Sequence, residues 1–300
     1  MNVFQESAKN RVIQTGGPKS SVLDGNKSQS PSDSIKADLK LHKAPSSPKS
    51  LPPHWAGILI PLALVGLWVV AVLAKFFPSF ILPSPLKVVA ASQELVITGG
   101  LIHELGVTLL RVAEGFVVGS LIGFGVGGLM GVSKTIEKIL GPSFNLFRQV
   151  PLPGWIPILV IAFGNTEMSK IIFVAMGAFP PMAVNTYTGI RNVPQKLIEV
   201  AKVYGYGPLK LFWKVVVPSA TPHLLTGLKV SLNLAWMFVI AAELMTYSAG
   251  GLGNLLEGAR DQFRMDSIIV IIVLIGIVGF IMNWGLERAQ ALLVGNRKFS

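Results

Sequence analysis

Cysteine is missing from the sequence altogether. That excludes disulfides and thiolate metal centres and shows no reliance on an oxidising compartment. Charge is scarce as well: Asp, Glu, Lys and Arg make up 14% of the chain, where a soluble domain carries roughly 25%. Histidine occurs only at His42, His54, His103 and His223. With no H-E-x-x-H pair and no carboxylate cluster beside them, no metal and no other cofactor is expected. The G-x4-G-K-[ST] loop that cradles ATP phosphates is absent too. If ATP drives this protein, a different subunit must bind it, and the chain itself is not expected to be an enzyme.

What is abundant is apolar sequence: 51% of the 300 residues are hydrophobic, the composition of an all-α integral membrane protein. Judged against the roughly 20 apolar residues that cross a bilayer, six spans are expected. Four are free of charge: Ala56 to Ala74, Gln149 to Thr166, Ile171 to Ile190 and Ser267 to Leu286. Leu105 to Val132 carries Arg111 and Glu114, and Leu224 to Tyr247 carries Lys229 and Glu243. Lys75 to Glu104 reads as an external linker with one surface helix. The domain plan is a disordered tail over 1–53, a membrane body over 54–293 and a short tail over 294–300.

The net charge of +11 is spread over short loops rather than gathered on a soluble face, which argues against nucleic acid and for topology signals. With the N-terminus in the cytoplasm, the inner segments hold 19 Lys and Arg and the outer ones 5. The 1–53 tail has eight basic residues, four acids and no apolar period, so it is expected to be disordered. It lacks the apolar middle of a cleavable signal, and the first span is expected to act as an uncleaved anchor.

Several features inside the spans suggest how they pack. Gly115, Gly119, Gly123, Gly127 and Gly131 recur every four residues in the second span. Small residues let helices approach where lipid removes the hydrophobic drive, and the stripe reads as packing or as a sliding face. Pro151, Pro153 and Pro157 open the third span, and Pro180 with Pro181 interrupts the fourth. Broken backbone at membrane depth lines a cavity or makes a kink. Arg111 has two readings: it faces an outer vestibule and attracts an anionic solute, or it pairs with Glu114 or Glu243 and holds helices together. Trp155, Pro157, Pro180, Arg111, Glu114 and Glu243 are the candidate translocation-path residues.

The long polar interruption, 191–222, reads as a helical hairpin. Val193-Pro194 starts its first helix and Gly205 ends it, while Gly207-Pro208 starts the second and Pro218 stops it. Leu197, Val200 and Tyr204, with Leu211, Phe212 and Val215, are expected to form an apolar base. Lys196, Lys202, Lys210 and Lys214 are left as a basic top.

The hairpin residues carry a resemblance. Glu199-Val200-Ala201, three residues, Gly205, nine residues, Val215, one residue and Val217-Pro218 resemble the E-A-A-x3-G-x9-I-x-L-P loop of bacterial ABC importer permeases. Further matches over about 56–293 look like the nitrate/sulfonate/taurine branch. They include Thr108-Leu109 with Arg111 and Gly115, Trp155-Ile156-Pro157 with Phe163-Gly164, Ala242-Glu243-Leu244 and Gly250-Gly251-Leu252-Gly253. Pro151-Leu152-Pro153-Gly154 departs from the usual P-P-L-A.

The resemblance implies a six-helix permease of the type I kind in the bacterial inner membrane. It also implies ATPase coupling through Glu199, Ala201, Gly205, Val215 and Pro218. The implied partners are cytoplasmic ATP-binding cassette subunits, an extracytoplasmic solute-binding protein, a second copy of the chain and the lipid bilayer. An aliphatic sulfonate or taurine solute is favoured, with nitrate, nitrite or bicarbonate as the alternative within the family. A passive channel and a membrane-embedded enzyme are the readings of other classes; uptake that survives ATP depletion would mark the first. The second needs convergent polar groups that these spans do not supply.

Overall fold

The computed structural model describes residues 56–97, 100–246 and 250–295. Two compact units divide the chain, Met1–Pro61 and Leu62–Ser300. The expected tail, 1–53, lies outside the described residues, as does 296–300. All regular structure among the described residues is helical.

Helix α1, Ala56–Leu73, has 18 uncharged residues and is about 27 Å long at 1.5 Å per residue. Trp68 donates its indole N–H to the Pro83 carbonyl at 3.1 Å, tying the helix to the start of α2, Pro85–Ile97. Helix α3, Gly100–Val132, begins five residues before the expected span. A tight link, capped by the Ser133 hydroxyl on the Ile136 N–H, leads into α4, Lys134–Gln149. A 3-10 turn, Leu152–Trp155, then precedes α5, Ile156–Phe163.

Here the structure corrects the sequence reading of Gln149 to Thr166 as one span. Eight residues reach only about 12 Å, and the chain bends by 95° between α4 and the segment Leu152–Phe163. The prolines explain the break: Pro151 and Pro153 remove backbone donors from the turn, and Pro157 sits in the first turn of α5, where a missing N–H costs nothing.

Among the described residues, four helices are long and apolar enough to cross a membrane. They are α3, α6 (Glu167–Arg191), the Pro208–Met245 helix and α11 (Met265–Gly295). Before the third lies α7, Gln195–Val203. The third itself is composite: α8 (Pro208–Leu211), a π-helical turn over Phe212–Val216, and α9 (Val217–Met245). Helix α10, Leu252–Asp261, lies between the last two spans, where the sequence reading assigned no element.

The glycine stripe of α3 lies against α6. A methyl group added at Gly115 would sit 2.5 Å from Val174 Cβ. At Gly123 it would meet the Phe179 carbonyl oxygen at 2.6 Å, and at Gly131 Ile190 Cβ at 2.8 Å. Residue numbers rise together along both helices, so α3 and α6 run parallel. Chain crossing in one sense twice must return between them, and the bent pair α4 and α5 makes that return as a broken span.

Helix α9 runs the other way: Gly189 abuts His223 and Ala220, while Ser231 donates to the Ala178 carbonyl at 2.8 Å. Helix α11 is antiparallel to α9, as the Lys229–Glu287 ion pair and the Gly279–Trp236 contact show. The 191–222 hairpin and the end of α3 therefore share one end of the bundle. The starts of α3, α6 and α11 share the other with the end of α9.

Candidate functional site

The hairpin is built by a Schellman closure of α7. Gly205 donates to the Lys202 carbonyl at 2.9 Å and Tyr206 to the Ala201 carbonyl at 3.0 Å, which requires the left-handed φ of +72° at Gly205. No atom lies within 4 Å of the position a Gly205 Cβ would take, so the glycine is needed for its backbone and not for space.

Ile190, Val193, Val216 and Ala220 are buried together, Ile198, Leu211 and Phe212 pack on them, and Ala201 is buried as well. The base thus includes Leu211 and Phe212 as expected, but the first helix contributes Ile198 and Ala201, one helical position away from the expected Leu197 and Val200. Leu197, Val200 and Tyr204 are exposed, together with Val203 and Leu209. Glu199, Lys196, Lys202 and Lys210 are exposed beside them, and Val215 is half-buried.

Pro218 does not stop the second helix. It lies in the first turn of α9. The π turn gives the Val217 N–H the Phe212 carbonyl five residues back, widening the helix where the proline ring would otherwise clash with the carbonyl of Lys214. Hairpin and span are one continuous rod.

The far end holds a buried charge cluster. Arg111 is 2% exposed and Glu243 0%. One Arg111 Nη1 donates to Glu243 Oε1 at 2.7 Å and to the Gly250 carbonyl at 2.8 Å, while Nε and Nη2 form a fork on Glu167 at 2.6 and 2.7 Å. Thr108 donates to Glu243 at 3.0 Å and accepts from the Leu252 N–H at 2.9 Å; Gly253 donates to Glu243 Oε2 at 2.9 Å. Gly251, at φ +110°, packs its α-carbon against both charged groups, and a side chain there would overlap them.

The cluster joins α3, α6, α9 and α10. A guanidinium with two carboxylates and carbonyl partners is a satisfied lock, and in this conformation Arg111 presents no free fork to a solute. Glu114, its sequence neighbour at three residues, is exposed and is not among its partners.

The remaining candidates are placed as follows. Trp155 stands in the 3-10 turn with its ring 5.7 Å from Phe147. Pro157 is exposed at the start of α5. Pro180 lines a cavity of about 180 Å³ with Gly177, Pro181, Phe147, Arg148 and Phe238. Pro180 and Pro181 deprive the Met176 and Gly177 carbonyls of helical donors, so the cavity lies where the backbone is broken.

Glu167, Lys170 and Thr108 escaped the sequence reading as site residues. Glu167 and Lys170 fell before the expected start of the span at Ile171, although their spacing of three is that of an ion pair on one helix face. Lys170 is 1% exposed, with Nζ 3.6 Å from Glu167.

Comparison with known proteins gives consistent matches. The model of the family described as binding-protein-dependent transport system inner membrane component matches residues 115–294. SsuC of Bacillus subtilis, named as an aliphatic sulfonates transport permease, is 35% identical over 223 residues, 74% of this chain and 80% of that relative. The taurine transport permease TauC of Escherichia coli is 33% identical over 231 residues, 75% and 83% of the two chains. Among solved structures, a chain of the inward-facing MetNI methionine ABC transporter superposes with a TM-score of 0.55 at 22% identity, covering 64% of this chain and 95% of that one.

Proposed function

The chain belongs to the binding-protein-dependent transport system inner membrane components and has the helical fold of type I ABC importer permeases, and from that premise we propose that it imports small anionic solutes of the aliphatic sulfonate and taurine kind. It is the membrane-spanning permease subunit of an importer, and ATP-hydrolysing and solute-binding partners go with that role. The solute class is supported by the sulfonate and taurine relatives. Bicarbonate and nitrate permeases at 31–32% identity make those anions the second reading.

The observation that carries the coupling role is the outer face of the hairpin. Leu197, Val200, Val203, Tyr204 and Leu209 are 46–87% exposed and interleaved with exposed Lys196, Glu199, Lys202 and Lys210. The charges keep this face out of lipid, and the apolar groups suit a protein partner, the ATPase. The hairpin and the N-terminus are assigned to the cytoplasm, in line with the excess of basic residues on that side, and the body to the bacterial inner membrane.

A second copy is supported by Glu114. A carboxylate exposed on the middle of α3 is costly against hydrocarbon, and a dimer partner or a water-filled path between copies removes that cost. Pro180 and Trp155 are assigned to the path wall, Pro157 to the turn that shapes it, and Arg111 with Glu243 to the lock at its outer end. ATP-driven closure of the ATPases moves the hairpins, and the rods α6 and α9 pass the movement to that lock.

The test is Gly205→Asp in the complex reconstituted with its ATPase and binding protein. The substitution puts a side chain on a residue at φ +72°, a conformation glycine adopts at least cost, and adds charge at the docking face. Uptake is expected to fall while the permease body stays folded. Unchanged uptake and unchanged stimulation of ATP hydrolysis would remove the coupling role from this hairpin.

A further inference from the structure

The inner half of the body contains a cavity of about 650 Å³ between α4 and α6. On the α4 side its walls are Lys134, Lys138, Gly141, Asn145 and Arg148. Their spacing of four, three, four and three residues puts them on one helical face. Ile139 and Leu146, on the other side of α4, are 67% and 70% exposed. On the α6 side the walls include Val184, Tyr187, Thr188 and Arg191.

Glu137 is the only carboxylate lining the cavity among the described residues, and it is already committed: it accepts from the Tyr187 hydroxyl at 2.6 Å and pairs with Arg191. Lys134, Lys138 and Arg148 have no carboxylate within salt-bridge distance among the described residues. Lys134 acts on Glu137 through space, yet four cations, Lys134, Lys138, Arg148 and Arg191, stand against the one carboxylate. They leave an excess of three positive charges on a concave, partly apolar space, which focuses their field on whatever enters.

Arg148 is the deepest of the three. It also lines the smaller cavity with Gly177, Pro180, Pro181, Leu234 and Phe238, residues halfway along α6 and in the second half of α9. Its guanidinium is steadied over the Phe144 ring at 5.6 Å, a contact that fixes the side chain without using its N–H groups. No hydrogen bond from those groups to another described residue is present. A permanent cation held at mid-depth, with a planar fork unspent, is arranged to receive an oxyanion.

We infer that the α4 stripe is the inner leg of the anion route: Arg148 takes the oxyanion at mid-membrane, and Lys138 and Lys134 lead it to the hairpin end. This rests on the importer reading above and deepens it, since it assigns solute contact to α4 rather than to Arg111. The ligand class is a small monovalent oxyanion, sulfonate or nitrate. The lysines attract it as point charges along a widening cavity, which favours release over retention.

The experiment uses the complete complex in proteoliposomes, with binding protein loaded with an aliphatic sulfonate and labelled solute. It compares the wild type with Arg148→Gln, Arg148→Lys and Lys138→Gln. Solute uptake and ATP hydrolysis stimulated by the binding protein are measured together. Arg148→Gln is expected to keep stimulated hydrolysis and lose uptake by about tenfold or more, the loss of a charge-assisted contact. Arg148→Lys is expected to recover part of it, and Lys138→Gln to fall between.

Uptake per ATP equal to wild type in both Arg148→Gln and Lys138→Gln overturns the inference while leaving the importer reading intact. A wild-type complex that hydrolyses ATP without moving sulfonate or nitrate overturns the importer reading, and this one with it. If Arg148→Gln does not assemble, Lys138→Gln and Arg148→Lys decide: wild-type uptake per ATP in both overturns the inference, and reduced uptake at normal hydrolysis supports it.

Discussion

Replacing Gly123 by alanine tests how α3 is held in the body. The added methyl group would lie 2.6 Å from the Phe179 carbonyl oxygen, 2.8 Å from Met182 Cβ and 3.1 Å from the Ala183 nitrogen. A carbon needs about 3.3 Å from a carbonyl oxygen, so α3 and α6 must part by roughly 0.7 Å at that level. Two of the three obstructing atoms are backbone and cannot rotate away. Separation on that scale forfeits a quarter to a half of each neighbouring dispersion contact, and overfilling a packed interface costs about 1–3 kcal/mol.

Gly125, on the same helix, has nothing within 4 Å of its Cβ position, and alanine there gains helix propensity. Thermal stability of the purified permease, read by size-exclusion after heating, should fall by roughly 2–12 °C for Gly123→Ala and hold or rise for Gly125→Ala. The double variant Gly115→Ala/Gly123→Ala should lose less than the sum, because helices already parted at one level relieve the other. Equal stability of the Gly123 and Gly125 variants would show that the stripe is not what seats α3 on α6.

Two further outcomes follow from the charges. Glu243→Leu removes the buried one of Arg111's two carboxylate partners and leaves the half-exposed Glu167, a loss of about 3 kcal/mol, the lower end for breaking a buried pair. The double variant Arg111→Met/Glu243→Leu should be more stable than Glu243→Leu alone in the same thermal assay, and strict additivity would mean the two do not interact. On the outer surface, the Arg264 guanidinium holds the Glu94 carboxyl below its usual range through a hydrogen bond at 2.7 Å and its charge. A depressed folded pKa gives stability that is present above the unfolded value, about 4.3, and is lost as pH falls through the folded one. Amide exchange of α2 should therefore quicken below about pH 4, and Arg264→Ala should abolish that pH step.

Most of the architecture was legible because it is written in composition and period. Long apolar runs marked the four long helices, the four-residue glycine repeat marked α3 as a closely packed helix, and Gly205 marked the hairpin turn. The misreadings have physical causes. Gln149 to Thr166 is as apolar as a span, and apolarity says nothing about the bend that Pro151, Pro153 and Pro157 impose. Pro218 looked like a stop, but a π turn absorbs a proline at the cost of one register slip, and composition cannot show that.

Register also decided the hairpin base. Ala201 is buried and Ile198 half-buried where Leu197 and Val200 were expected, one position around the helix. Of the two partners the sequence offered Arg111, Glu243 at 132 residues is the one it takes and Glu114 at three is not, while Glu167 at 56 was not foreseen. Only the assembled bundle brings α6, α9 and the Gly250–Gly253 turn to that point.

The packing divides the body into a part that moves as one and a part that does not. Helices α3 and α6 touch through glycine along the whole stripe, and α9 meets α6 at Gly189, Gly177 and Ser231. Contacts of that closeness leave no slack, so under the coupling proposed above a displacement at the hairpin would travel along α6 and α9 instead of being lost in side-chain adjustment. The rods end at the Arg111 lock, which ties the same helices. Helix α4 is held differently, by the edge contact of Phe144 with Phe179 at 5.6 Å and by Glu137 on Tyr187, and it is joined to α5 through a broken turn. A shift of the three-helix core therefore changes the width of the α4–α6 cavity before it deforms the core itself. Lock and cavity lie at opposite ends of one rigid lever, and such an arrangement opens one side as it closes the other.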